Sequence, residues 1–135
     1  TAIQMGADLA WMGTRFINVE ESLADDQYKE MIIESSAEDI VYTAAVSGVN
    51  ASFLRSSLEA MGITEEMWSK TKKIDFGSEL DAAKAEAKAW KTIWSAGQGV
   101  TSIKDVISIS NLVSELKKDF LSGLERMKEV YNTYN

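Results

Sequence analysis

The sequence predicts an α/β fold that is mostly helical, with one core strand near its N-terminus. The apolar run Leu9 to Met12 has the length of a strand buried on both faces, and the strand Ala7 to Met12 directly follows Gly6, a helix-ending glycine. Such short helix-to-strand joints are typical of alternating α/β folds. Apolar residues then recur at steps of three and four from Ser108 to Tyr134, which predicts a long amphipathic helix.

The charge and residue composition of the chain exclude several classes of function. The chain has 135 residues, enough for one domain, and a net charge of -7, which argues against nucleic-acid binding. It has no cysteine, so disulfides and thiolate metal sites are excluded, and a cytoplasmic location is compatible with this. It has no histidine, which removes the commonest general base and metal ligand. No apolar run approaches the roughly 18 residues of a membrane span, so we expect no membrane partner. No cluster of carboxylates has metal-ligand spacing, so we expect no metal.

Local patterns predict the remaining elements. The sequence contains no proline and no low-complexity tract, so residues 1–135 are interpreted as a single unit. In the first half of the chain the patterns predict a helix from Gln27 to Ser35 capped by Asp25 and Asp26, a capping box or turn at Ser35 to Glu38, and a short extra strand from Ile40 to Thr43. They then predict a helix from Ala51 to Met61 that Gly62 stops, and a helical turn from Thr64 to Trp68. A linker from Lys70 to Lys73 and a helix from Glu79 to Trp94 follow.

The first candidate site is the Gly13-Thr14 pair that ends the apolar run. Glycine lets a ligand approach the backbone closely, and exposed amides with a threonine hydroxyl can hold phosphate oxygens. An ordinary strand-to-loop turn is the alternative. Arg15 is either a phosphate clamp or the partner of Glu20 or Glu21 in an ion pair.

The second candidate site is the stretch Ser95 to Gln98. Two glycines flank Gln98 at the end of a predicted helix, which is more than a helix stop requires, although a capped helix end with a glycine-rich turn explains it too. Trp90 and Trp94 lie four residues apart on one helical face. That spacing is more typical of core packing than of a substrate pocket.

Three stretches resemble the nitronate monooxygenase (2-nitropropane dioxygenase) family, in the order in which that family has them. The first is Met-Gly-Thr-Arg-Phe at 12–16, preceded by Gly-Ala-Asp at 6–8. The second runs from Asp25 to Thr43, and the third runs from Ala89 to Val100. The likeness therefore extends over nearly the whole chain.

The resemblance implies the C-terminal part of an FMN-dependent (β/α)8 TIM barrel. A complete barrel takes roughly 200 residues or more, so the preceding strands would lie outside this chain or come from another copy of it in a homo-oligomer. The stretch 7–16 would be the last barrel strand with its phosphate loop, followed by a helical C-terminal region. The expected FMN-binding residues are Trp11, Met12, Gly13, Thr14, Ser95, Ala96, Gly97 and Gln98.

By the same resemblance, the whole enzyme oxidises an alkyl nitronate with dioxygen, giving a carbonyl compound and nitrite. A histidine thought to act as base would belong to the earlier part of the barrel, so no catalytic residue is expected in this segment. NADH:quinone reductases and flavin enoyl reductases share the barrel and its phosphate loop and are the alternatives within this class. A helical association domain without cofactor is the alternative outside it. The expected partners are the nitronate and the remaining barrel segment.

Overall fold

The computed structural model describes residues 2–46, 48–69 and 92–134. The chain separates into two compact units: unit 1 joins Thr1–Leu23 to Val106–Asn135, and unit 2 is Ala24–Asp105. That residues 1–135 fold as a single unit stays a prediction. The elements in chain order are α1 (Thr14–Ile17), α2 (Asp26–Glu34), a 3₁₀ turn (Ala37–Asp39), β1 (Ile40–Thr43), β2 (Ala51–Leu54), α3 (Arg55–Ala60), α4 (Glu65–Trp68), a second 3₁₀ turn (Gln98–Ser102) and α5 (Ile109–Tyr134).

Caps define the elements at the start of unit 2. The Asp25 carboxylate accepts the backbone N–H of Gln27 at 2.9 Å and so caps α2, as predicted. Ser36 and Asp39 then form a capping box, in which the carboxylate of Asp39 accepts both the backbone N–H and the hydroxyl of Ser36. The predicted helix is confirmed, and the capping box predicted at Ser35 to Glu38 forms one residue later, between Ser36 and Asp39.

The sheet of unit 2 corrects one prediction. β1 forms at Ile40–Thr43 as predicted, but it pairs antiparallel with Ala51–Leu54, the first part of the predicted helix Ala51 to Met61. Leu54 and Leu58 lie four residues apart, which is also the spacing of one face of a helix. Residues 51–54 form a strand because their backbone pairs with β1. Helix α3 therefore begins only at Arg55.

The core of unit 2 forms around this sheet. Gly62 ends the helical stretch as predicted: its φ is +76°, and the N–H groups of Gly62 and Ile63 reach back to the carbonyls of Glu59 and Leu58. The predicted helical turn at Glu65–Trp68 is also confirmed. The buried side chains that contact one another are Val41, Ala45, Val46, Phe53, Leu58, Ile63, Trp68 and Ile93.

Unit 1 contains the long helix. α5 spans Ile109–Tyr134, one residue shorter at its start than predicted, and the Glu21 carboxylate accepts the backbone N–H of Ile109 at 2.9 and 3.0 Å. A carboxylate there satisfies an N-terminal amide and complements the helix dipole. Near the N-terminus, Gly6 has a φ of +96°, and the backbone N–H groups of Gly6 and Ala7 bond to the carbonyls of Ile3 and Ala2. This is the hydrogen-bond pattern of a helix C-terminus, but residues 2–6 form turns and not a helix, so only the turn at Gly6 agrees with the predicted helix stop.

Two predictions fall partly or wholly outside the described ranges. The linker Lys70 to Lys73 and most of the predicted helix Glu79 to Trp94 lie among residues 70–91, which the structure does not describe. Of the rest of that helix, Thr92 is helical, whereas Ile93 and Trp94 are not. Within residues 2–46, 48–69 and 92–134, no helix combines the length and apolar character needed to cross a membrane.

Candidate functional site

The predicted strand Ala7 to Met12 is not a strand in the structure. The chain is without regular structure from Ala7 to Gly13, and Leu9 and Trp11 are 87% and 100% exposed. A strand buried on both faces needs neighbours that supply backbone hydrogen bonds on each side. The described part of this chain offers no such neighbour to residues 7–13, and the prediction is wrong for the chain by itself.

Gly13 and Thr14 lie where this extended stretch enters α1. Gly13 precedes the helix, Thr14 is its first residue, and the Gly13 carbonyl accepts the N–H of Phe16 at 2.9 Å. A Cβ placed on Gly13 would meet no atom within 4 Å, so the space in front of its backbone is open. This opening fits the close approach of a phosphate group, which is the property expected of the first candidate site.

Arg15 contacts its own helix. Its Nη1 donates to the carbonyl oxygen of Asn18 at 3.2 Å, at the end of α1. This contact does not test the two alternatives named from the sequence, a phosphate clamp and an ion pair with Glu20 or Glu21, and both stay predictions. A guanidinium held by a nearby carbonyl stabilises the short helix end.

The second candidate site, Ser95 to Gln98, is fastened to unit 2 at its first residues. Ser95 forms a bridge with Phe53 of β2, and its carbonyl accepts the hydroxyl of Tyr28. Ala96 is buried, whereas Gly97 and Gln98 are exposed. Gly97 also precedes the 3₁₀ turn Gln98–Ser102. Ser95 is exposed as well, so the part that a ligand can reach is Ser95, Gly97 and Gln98, while the side chain of Ala96 packs inward.

The residues that hold this loop were not found from the sequence. The rings of Tyr28 and Trp94 stack with centroids 4.9 Å apart and planes inclined by 14°. The buried hydroxyl of Ser57 accepts the N–H of Trp94 at 3.1 Å, and the N–H of Leu54 donates to the Trp94 carbonyl at 2.9 Å. Burial raises the pKa of the Tyr28 phenol above its ordinary value of 10.0, so the hydroxyl stays a donor.

The contacts of Trp94 bear on whether Trp90 and Trp94 pack in the core or line a substrate pocket. Trp94 is half-buried and stacks on Tyr28, as expected for a packing residue. Trp90 lies outside the described residues. Nothing in the sequence singles out Ser57, and Tyr28 shows only as a member of the apolar stripe of α2.

The structure groups the predicted binding residues into two sets. Trp11, Met12, Gly13 and Thr14 are consecutive in unit 1, and Ser95, Ala96, Gly97 and Gln98 are consecutive in unit 2. The described residues include no group of three or more acidic side chains placed to hold a metal ion. The first set offers an open backbone and a hydroxyl, and the second offers an exposed amide side chain on a firmly held loop.

Comparisons with known proteins agree over most of the chain. A family model described as nitronate monooxygenase matches residues 1–119. A protein of Paraburkholderia phytofirmans named nitronate monooxygenase is 28% identical over 137 residues, covering 97% of this chain and 37% of that protein. The chain thus spans well under half the length of this relative.

Solved structures give the same picture. The structure of FabK from Thermotoga maritima matches with a TM-score of 0.65 and 26% identity, covering 94% of this chain and 41% of that one. Its M276A mutant matches with a TM-score of 0.67 and 27% identity, covering 94% and 39%. A helical segment with a short sheet, about two fifths of each solved chain, is consistent with a piece of a barrel. Because the family model covers most of its residues, the chain belongs to the nitronate monooxygenase family.

Proposed function

We propose that this chain is the C-terminal segment of an FMN-dependent oxidoreductase that oxidises alkyl nitronates with dioxygen. The observation that carries the proposal is the family match over residues 1–119, supported by the relative named nitronate monooxygenase. The match favours an enzyme segment over a helical association domain without cofactor. Since the relative is much longer than this chain, the other barrel strands and the catalytic base belong to the remaining part of the protein.

In this proposal the segment binds and orients the cofactor. The amides of Gly13 and Thr14 and the Thr14 hydroxyl hold the phosphate of FMN, and the open space at Gly13 supports that assignment. Trp11 and Met12, both exposed, then become covered next to it. Ser95 to Gln98 contact the ring end of the cofactor. FMN supplies the redox chemistry, and these residues supply position and electrostatics.

A second candidate function is a flavin reductase of the same barrel family, acting on a quinone or an enoyl substrate. The observation that favours it is the fold similarity to the solved structures of FabK, which have a different name from the nitronate monooxygenase relative. The two candidates share the phosphate loop and differ in the substrate oxidised or reduced. Nitrite release from a nitronate supports the first, and NADH-dependent reduction without nitrite supports the second.

The test uses a chimaera in which residues 1–135 replace the matching stretch of the Paraburkholderia relative. We expect the purified chimaera to contain FMN and to release nitrite from an alkyl nitronate. The double variant Gly13→Ala and Thr14→Val should weaken FMN binding by about tenfold or more, because it fills the phosphate approach and removes a charge-assisted donor. Bound flavin is measured by absorbance after gel filtration.

The control is Thr64→Val, an exposed threonine at the start of α4 whose side chain makes no capping hydrogen bond. It makes the same threonine-to-valine change as Thr14→Val, but outside the predicted phosphate loop, and should leave the flavin content unchanged. Gly13 has an ordinary negative φ and open space at its Cβ, so the alanine fits without strain. A folded double variant that binds FMN as well as the unchanged chimaera would remove the phosphate assignment.

A further inference from the structure

Unit 2 contains a cavity that neither candidate flavin loop lines. Its volume is about 690 Å³, within the roughly 300–1,000 Å³ of pockets that hold small organic ligands. The strand β1 contributes to its lining, and so do Arg55 and Trp68. Among the described residues, the lining is Ile40, Val41, Tyr42, Thr43, Ala44, Asn50, Arg55, Trp68 and Ser69.

The charge of this lining is opposite to that of the chain. The sequence has 21 acidic against 14 basic residues, yet among the described lining residues of the cavity Arg55 is the one cation and none is a carboxylate. Its other lining residues are apolar or neutral polar. A guanidinium in such a lining attracts an anion, because its charge is not paired with a carboxylate among the described residues of the cavity.

Two contacts hold Arg55 in place. Its guanidinium carbon lies 5.7 Å from the centroid of the Trp68 ring, a cation–π distance, and its Nη2 donates to the Glu38 carbonyl oxygen at 3.2 Å. Trp68 is itself buried, so the ring that orients the guanidinium is fixed. A guanidinium carries five N–H donors in a rigid fork, and the Glu38 contact uses one of them.

Arg55 acts on the carboxylate of Asp39 without forming an ion pair with it. The charge of Arg55 helps to lower the pKa of Asp39, but the hydrogen bonds from Ser36 to that carboxylate are the larger causes. Within the described part of the chain, no carboxylate lies within ion-pair distance of Arg55. The contact with Glu38 is made by its backbone carbonyl and not by its side chain.

We propose that this cavity binds an organic anion with an apolar ring and one carboxylate or phosphate group. Arg55 holds two oxygens of the acidic group with parallel N–H donors, since a guanidinium matches that geometry. The ring lies against the apolar part of the lining, formed by Ile40, Val41 and the Trp68 indole. Asn50 and Tyr42 supply further polar groups at the cavity. The proposal does not depend on the flavin assignment.

The test follows the four tryptophan indole N–H resonances of the 15N-labelled chain by NMR. Benzoate, phenyl phosphate and uncharged benzamide are added in turn, and Trp68→Phe identifies the Trp68 signal. We expect both anions to shift the Trp68 resonance with saturation, and benzamide, which has the same ring, to leave it in place. Comparing the two anions shows which acidic group the fork prefers.

Substitutions of Arg55 test whether its charge binds the anion. Arg55→Gln should weaken anion binding by about tenfold or more, and Arg55→Lys should fall between the two, because the charge remains but the fork is lost. Lys104→Gln is the matched control: it removes one positive charge from an exposed position of the same unit and should change nothing. Far-UV circular dichroism verifies that each variant is folded.

Three results would each overturn the proposal. They are a Trp68 resonance that neither anion shifts, equal shifts with benzoate and benzamide, or equal binding by the unchanged chain and a folded Arg55→Gln. The comparison of benzoate with benzamide needs no variant, so it stands even where a substitution at residue 55 prevents folding. FMN binding by the chimaera is a separate readout, which Arg55→Gln should leave unchanged.

Discussion

Two short apolar stretches of this chain, both predicted as strands, have opposite outcomes. Ile40–Thr43 forms β1 and pairs along its length with β2. Ala7 to Met12 forms no strand, and Leu9 and Trp11 stay exposed. The difference does not lie in hydrophobicity, since both stretches have it. It shows that an apolar run becomes a strand only where a partner strand is available to bond its backbone.

The exposed stretch has no partner strand within the described part of the chain. The family relatives are more than twice as long as this chain, and a parallel barrel strand takes its partners from distant parts of the sequence. We propose that residues 7–13 become a strand only beside the preceding barrel segment. The experiments below separate positions that are stable within the chain from positions that need the rest of the protein.

The largest expected effect is at the buried strand. Phe53→Ala should destabilise unit 2 by roughly 3–5 kcal/mol, because it opens a cavity in the core beside Val41 and Leu58. Trp11→Ala, an equally large truncation, should change the stability of the chain by less than about 0.5 kcal/mol. Urea denaturation followed by far-UV circular dichroism measures both. Similar losses for the two variants would contradict the contrast between the stretches.

A smaller effect separates two adjacent serines of α3. Ser57→Ala should cost roughly 1–3 kcal/mol, because the buried hydroxyl accepts the Trp94 N–H and donates to the Leu54 carbonyl. Ser56 is the matched control: its hydroxyl is buried with no hydrogen-bond partner among the described residues, so Ser56→Ala should be neutral or slightly stabilising. Thermal unfolding of both variants measures the difference. A loss at Ser56 that equals the loss at Ser57 would mean that the Trp94 contact contributes nothing.

The capping box of unit 2 gives a dependence on pH. Hydrogen bonds from Ser36, and then the charge of Arg55, lower the pKa of Asp39 below its ordinary value of 3.8. A carboxyl group with a lowered folded pKa stabilises the fold above its unfolded pKa, and the stabilisation is lost as the pH falls through the folded value. Asp39→Asn should therefore cost up to about 1 kcal/mol at pH 7, since the group is largely exposed, and the cost should shrink below pH 3.8. Urea titrations of both proteins at pH 7 and at a pH below 3.8 measure this cost. A cost that does not depend on pH would contradict the lowered pKa of Asp39.

The smallest effect concerns Gly123 in the middle of α5. The Gln4 side chain donates to the Gly123 carbonyl at 3.0 Å, and a Cβ on Gly123 would meet Gln4 Nε2 at 2.8 Å. Gln4 is exposed and its end is flexible, so it can move aside, while alanine favours the helix by roughly 1 kcal/mol. Gly123→Ala should therefore stabilise α5 by a few tenths of a kcal/mol, measured by thermal unfolding. A clear loss that Gln4→Ala removes would show that the Gln4 contact outweighs helix propensity.

Local signals were sufficient for many elements. Gly6 and Gly62 end helical turns with positive φ, Asp25 caps α2, and the periodicity of α5 locates a helix of 26 residues. Each of these signals acts within a few residues of the chain. The failures at Ala7 to Met12 and at Ala51–Leu54 share one cause, since strand formation depends on residues that are distant in sequence or outside the chain.

The candidate sites show the same limit. Gly13, Thr14 and Ser95 to Gln98 could be named because the resemblance assigns them a role. Tyr28 and Ser57, which hold the second loop, could not be named, because folding brings them to Trp94 from 66 and 37 positions away. The meeting of Arg55 with Trp68 at one cavity depends likewise on the packing of α3 and α4.

Hydrogen exchange at the backbone amides of residues 8–12 tests the central claim most directly. These amides should exchange almost without protection in the 135-residue chain, where those of β1 and β2 are protected. In the chimaera with the preceding barrel segment, residues 8–12 should become protected, and addition of FMN should further protect Gly13 and Thr14. That result would identify residues 7–13 as a barrel strand and the following loop as the phosphate site. A flavin-containing chimaera in which residues 8–12 still exchange freely would contradict the claim.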